Sequence, residues 1–118
     1  MRLVNKTRGA ILARRVEVCD TPWARARGLM FRRALGEGEA LWFRLDRPGR
    51  WTAAIHMFFV FFPIGVVWLD REGHVVDQAL ARPFRPWYAP VQAAAAFVEG
   101  PPSILEGCRV GDLLALEP

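Results

Sequence analysis

Hydrophobic positions along this chain fall into short runs bounded by glycine, proline and charged residues. The longest runs from Ile55 to Leu69, with His56 near its start and Pro63 in its middle. Pro63 divides it, and Asp70-Arg71-Glu72-Gly73 ends it with a turn. That punctuation indicates buried β-structure, because a membrane helix needs about 20 apolar residues without such breaks. Four phenylalanines and a valine between Ile55 and Phe62 predict a strand there. Ile64–Asp70 is predicted as a second strand, with His74–Leu80 returning antiparallel across the turn.

The same reading assigns strands to Met1–Asn5, Ala10–Val18 and Ala40–Leu45, and a closing strand within Gly111–Leu116. Asn5–Gly9, Gly36–Glu39 and Asp46–Arg50 are predicted turns. Asp20-Thr21-Pro22 predicts a short helix, stopped by Gly28. A second helical turn is expected over Ser103–Gly107. Arg82–Pro90 holds three prolines in nine residues and excludes regular structure. Ala93–Glu99 is ambiguous between helix and strand. The expected fold class is mostly β (α+β), a single domain over residues 1–118. It would be barrel-like or a curled mixed sheet, with two short helices.

Composition narrows this further. With 118 residues, 53% hydrophobic and 24% charged, the chain can bury one core and is not a disordered segment. Met1–Lys6 has no apolar core of a secretory signal, so a cytoplasmic location is expected. Cys19 and Cys108 are too few for a disulfide framework and are expected as reduced thiols. The net charge of +4 is uneven, since residues 1–50 carry 12 Lys and Arg against 5 Asp and Glu. All the basic residues but Lys6 are arginine.

Several stretches together resemble one family, domain-of-unknown-function family number 192. They are Asp20-Thr21-Pro22 with Arg25, Arg27-Gly28-Leu29-Met30-Phe31-Arg32, Leu41-Trp42-Phe43, and Ile55-His56-Met57-Phe58. Phe62–Asp70, Gly73 with Val75-Val76, Arg85-Pro86-Trp87, Val98-Glu99 and Gly107 with Val110-Gly111-Asp112 complete the match. The resemblance implies a small, mostly β domain with short helices and no established activity. It implies that many relatives are secreted or lipid-anchored. It also implies an aspartate where this chain has Gly65 and a basic residue where it has Phe61.

Candidate chemistry is sparse. His56 is the one titratable group within Ile55–Phe62 and could serve as base or ligand near neutral pH. Arg25, Arg27, Arg32 and Arg33 form the densest basic patch, suited to a phosphate or carboxylate. Trp87 and Tyr88 sit with Phe84 in the proline-stiffened loop and could wall a pocket. His74 is expected in solvent. The scattered Cys, His and Asp residues lack metal-ligand spacing, so neither a metal nor another cofactor is expected. Aromatics interleave with arginine, yet no nucleic-acid-binding signature is present and no such partner is expected.

Three functions remain open. One is a binding module for a small ligand or a protein partner, with a site built from His56, Arg25, Arg32, Trp87 and Tyr88. Another is an enzyme on a small anionic substrate, with His56 as general base and an arginine as anion clamp. The third is an interaction protein that forms a homodimer through Phe59 and Phe61. Both faces of Ile55–Phe62 are apolar and need cover, by the Pro83–Pro90 loop, a ligand or a second chain. A concave polar pocket would favour the first two functions, and a flat apolar face the third.

Overall fold

The computed structural model describes residues 1–19, 35–55, 57, 60–85 and 88–118. Among these residues the chain forms eight strands and one short 3-10 helix: β1 (Arg2–Asn5), β2 (Ala10–Ala13), β3 (Arg15–Cys19), β4 (Glu39–Gly49), β5 (Ile64–Leu69), β6 (Val75–Ala81), β7 (Ala94–Gly100), the helix Pro102–Glu106 and β8 (Leu114–Glu117). Three strands form a small sheet in the order β2-β1-β8, and five form a larger one, β3-β4-β7-β5-β6. The larger sheet is mixed, because β3 and β4 run parallel while its other pairs are antiparallel.

The larger sheet is covered on both faces. Alternation along β4, β5 and β7 sends Leu41, Phe43, Val66, Trp68 and Phe97 into one core, together with Ala53, Ile55, Met57 and Val60 from the connecting segment. Phe43 and Phe97 are cross-strand partners whose rings stack 4.7 Å apart. Trp68 Nε1 donates to the Ala53 carbonyl at 2.7 Å, fixing that segment over the sheet. The intervening residues Ala40, Trp42, Val67, Leu69, Ala96 and Val98 enter a second core with Leu3, Ala13, Ile104 and Leu114. β5 lies centrally enough that all six of its residues are buried. That explains its continuous apolar sequence, since a strand covered on both faces has no polar side to show.

Several expectations change. Among the described residues the sheets are open and do not close into a barrel, because β3 and β6 are the edges of the larger sheet. Ala10–Val18 is two strands in different sheets. The break falls at Arg14, where the N–H groups of Arg14 and Arg15 both donate to the Gly38 carbonyl. β4 continues through Asp46–Gly49, which were expected as a turn. Ala94–Gly100 resolves as a strand. Two short helices are not supported: Pro102–Glu106 is a five-residue 3-10 helix, and the helix expected after Thr21-Pro22 lies outside the described residues.

Ile55–Phe62 is not a strand at its described positions. Only Ile55 makes an isolated bridge, to Tyr88. The Val60 N–H then donates to the Met57 carbonyl at 3.2 Å, which turns the chain. Strict alternation is lost at that turn, so Met57 is fully buried while Phe61 is 55% exposed.

Gly65 has a packing role. A Cβ there would lie 2.7 Å from Ile104 Cγ2 and 3.1 Å from the Pro101 carbonyl oxygen. Its cross-strand partner is Gly100, also without room for a side chain beside Ile104. The two glycines make a flat floor on which the 3-10 helix seats Ile104. The aspartate implied by the family resemblance has no space here.

Candidate functional site

The segment after Ile55 and the loop after Arg82 are laced together through their backbones. Ile55 and Tyr88 exchange two N–H···O bonds of 2.8 and 2.9 Å. Met57 donates to the Arg85 carbonyl at 3.0 Å and accepts from the Phe84 N–H at 2.9 Å. The Tyr88 hydroxyl accepts the Arg82 N–H at 2.8 Å, closing the loop on itself. These bonds satisfy backbone groups that a proline-rich loop cannot pair in a regular ladder.

The loop presents an aromatic pair. Phe61 and Phe84 meet edge to face with centroids 5.3 Å apart. Both rings stand half in solvent, 55% and 49% exposed. Phe84 has a φ of 61°, the one positive value at a non-glycine residue among those described. That left-handed conformation costs a bulky residue roughly 1–3 kcal/mol. Arg82 and Arg85, both exposed, flank Phe84 in the sequence, and neither guanidinium has a carboxylate partner among the described residues.

Of the site residues predicted from sequence, Tyr88 is half-buried and acts through its backbone and hydroxyl as described. Phe61 lies on the exposed pair. His56, Arg25, Arg32, Trp87 and Phe59 fall outside the described residues. His74 is exposed, with Nδ1 3.7 Å from Asp70 Oδ2. Among the described residues, no group of three or more His, Cys, Asp or Glu side chains could hold a metal ion.

A second polar constellation lies at the corner where β1, the residues after the 3-10 helix and β8 meet. Asp112 Oδ2 accepts from Asn5 Nδ2 at 2.9 Å, Arg8 Nε at 2.7 Å and the Arg109 N–H at 3.0 Å. Asn5 is fully buried; it also donates to the Gly107 carbonyl and accepts the Arg8 N–H through Oδ1. The hydrogen bonds from Asn5 and then Arg8 hold the Asp112 carboxyl below its ordinary range. Cys108 is buried beside them, and burial, with a smaller contribution from Asp112, pushes its thiol up to about 11. Such a thiol is protonated and inert at neutral pH. Cys19 is likewise buried, and its thiol lies 4.0 Å from the Glu17 carbonyl oxygen. Sequence reasoning missed Asn5, which reads as the start of a turn cluster. Its one available signal was Gly111-Asp112, a weak motif alone.

A UPF0127 protein from Thermococcus sibiricus is 38% identical over 112 residues, covering 93% of this chain and 71% of the relative. One from Thermococcus kodakarensis is 37% identical over 118 residues, covering 98% and 73%. A crystal structure of a protein of unknown function from Novosphingobium aromaticivorans shares the fold, with a TM-score of 0.83 and 24% identity. That match covers 98% of this chain and 84% of the other. None of these names carries an activity. The model of the DUF192 family (Uncharacterized ACR) matches residues 3–115, and the chain belongs to that family.

Proposed function

We propose that this protein is a binding module whose contact surface is the Phe61–Phe84 pair, and that its partner is an acidic protein segment bearing an apolar side chain. The observation that carries this reading is Phe84. A bulky residue is held at positive φ while half its ring faces solvent, so the strain serves neither burial nor backbone pairing that glycine could not supply. Aromatic residues, phenylalanine included, are enriched in the cores of protein interfaces. The flanking arginines set the partner's charge. They also weigh against a homodimer through this face, because a two-fold contact would bring Arg82 and Arg85 towards their own copies.

A fluorescently labelled octapeptide of glutamates around one central leucine tests the reading by anisotropy. Saturable binding is expected, lost in both Phe61→Ser and Phe84→Gly and weakened in Arg85→Glu. Binding that survives both ring substitutions would be charge attraction alone and would sink the proposal. A concentration-dependent dimer in sedimentation that Phe61→Arg abolishes would replace it with self-association.

A further inference from the structure

Among the described residues β6 is an edge of the larger sheet, and the chain itself closes most of its outer side. In an antiparallel pair, successive residues turn their N–H and C=O groups alternately towards the partner strand and away from it. The Val75 N–H donates to the Asp112 carbonyl and the Val75 carbonyl accepts the Gly111 N–H, so Val75 faces away from β5. The register against β5 steps from Leu69↔Val75 to Trp68↔Asp77, so Val76 is an extra residue and moves the alternation by one. The Gln78 N–H therefore turns outwards, where Asp77 Oδ1 takes it at 2.8 Å. The Arg82 N–H also turns outwards and is taken by the Tyr88 hydroxyl.

Leu80 lies between these two capped positions and faces the same way. Its N–H is the outward donor between Val75 and Arg82 that nothing among the described residues accepts. The carbonyls of Gln78 and Leu80 stand open beside it. The Leu80 side chain is 41% exposed. Leu80 is the cross-strand partner of Gly65, and a Cβ on Gly65 would lie 3.0 Å from Leu105 Cγ. Leu80 and Leu105 thus share a face of the sheet. An open stretch of strand edge beside apolar side chains is where an extended segment can add. Chain length keeps Leu80 within about 14 Å of Phe84. Arg82 lies between them in sequence. Asp77 is the one acidic residue of β6, and its two oxygens are taken by the N–H groups of Gln78 and Val91.

We infer that the acidic partner segment docks in extended form, as a short strand added to β6. Its backbone takes the Leu80 N–H and the carbonyls of Gln78 and Leu80. Its carboxylates meet Arg82 and Arg85, and its apolar side chain reaches the Phe61–Phe84 pair. This rests on the partner proposed above and adds how that partner is held. A second copy of this chain fits the edge less well. Pairing β6 with itself about Leu80 or Ala79 makes two bonds, because the Gln78 and Arg82 N–H groups of both copies are already taken. A separate segment makes three.

The labelled octapeptide of glutamates around one leucine tests this with two substitutions at one position. Leu80→Pro removes the outward N–H and leaves the bonds to β5 in place, which an edge strand tolerates. Leu80→Ala keeps the N–H. By anisotropy, Leu80→Pro should bind the peptide about tenfold or more weakly than Leu80→Ala. In the ¹⁵N-labelled wild type, the peptide should move the Leu80 amide signal saturably and slow its exchange with solvent. Equal binding by the two folded variants would overturn the added strand and leave the Phe61–Phe84 surface standing. So would a Leu80 amide that bound peptide neither moves nor protects, and this measurement decides alone if Leu80→Pro does not fold. Binding lost in Leu80→Pro but kept in Phe61→Ser and Phe84→Gly would overturn the aromatic surface and leave the edge. No binding to the wild type would overturn both.

Discussion

The corner around Asp112 and the loop around Phe84 spend their residues in opposite ways. At the corner both side-chain polar atoms of Asn5 are paired, a carboxylate oxygen takes three donors, and the 3-10 helix is seated on two glycines with no spare volume. At the loop a phenylalanine sits in an unfavourable backbone conformation and shows its ring to water. The first arrangement ties distant parts of the chain, Asn5 to Gly107 and Asp112, and secures the small sheet against the rest. The second is tolerated because the backbone bonds from Ile55 and Met57 hold the loop in place. If the loop is the contact surface proposed above, stability and recognition sit in different places, and substitutions should separate them.

The largest effect is expected at the floor of the closed corner. Gly65→Asp would drive a side chain into Ile104 and the Pro101 carbonyl, and should destabilise by about 3 kcal/mol or more in denaturant unfolding. Asn5→Leu keeps the volume but takes one of three donors from Asp112 Oδ2 and strands the Gly107 carbonyl and the Arg8 N–H; about 2–4 kcal/mol is expected. An Asn5→Leu protein as stable as the wild type would remove the corner from the account.

The pH dependence should show the same corner. Asp112 has a lowered pKa when folded, so its contribution is complete above the ordinary aspartate range and is lost as pH falls through the lowered value. Cys108 acts at the other end. Its thiol ionises near 9 in the unfolded chain and near 11 when folded, so the unfolded state releases its proton first. Stability should fall as pH rises from about 9 to 11, and Cys108→Ala should flatten that fall.

How much of this was legible in the sequence depended on whether local pattern or distant pairing decided each element. The β5–β6 hairpin was legible, because an apolar run, the Asp70–Gly73 turn and a second run specify it locally. Gly73 adopts a φ of 98° there, as a tight turn ending requires. The strand change at Arg14 was not, since the acceptor that splits Ala10–Val18 is the distant Gly38 carbonyl. Ile55–Phe62 misled for a related reason. A run apolar at every position has no period to read, and its path is set by bonds to Arg82–Tyr88. Those bonds bring together two segments that sequence reasoning had joined on chemical grounds. They did so through Ile55, Met57 and Arg85, not through a side chain chosen in advance. Asn5 was missed because nothing local distinguishes a turn asparagine from a buried partner over a hundred residues away.

At the loop the expected stability effects are the smallest. Phe84→Gly removes a half-exposed ring and relieves the backbone, so stability should stay within about 1 kcal/mol of the wild type. Phe61→Ser should be similarly mild, as its ring is mostly in water.

The most direct test of this division is thermal unfolding of the double variant Phe61→Ser, Phe84→Gly beside Asn5→Leu. A midpoint within a few degrees of the wild type is expected for the double variant, and a fall of roughly 10 °C or more for Asn5→Leu. A double variant that melts as early as Asn5→Leu would show the aromatic pair to be part of the core, and would contradict the central claim.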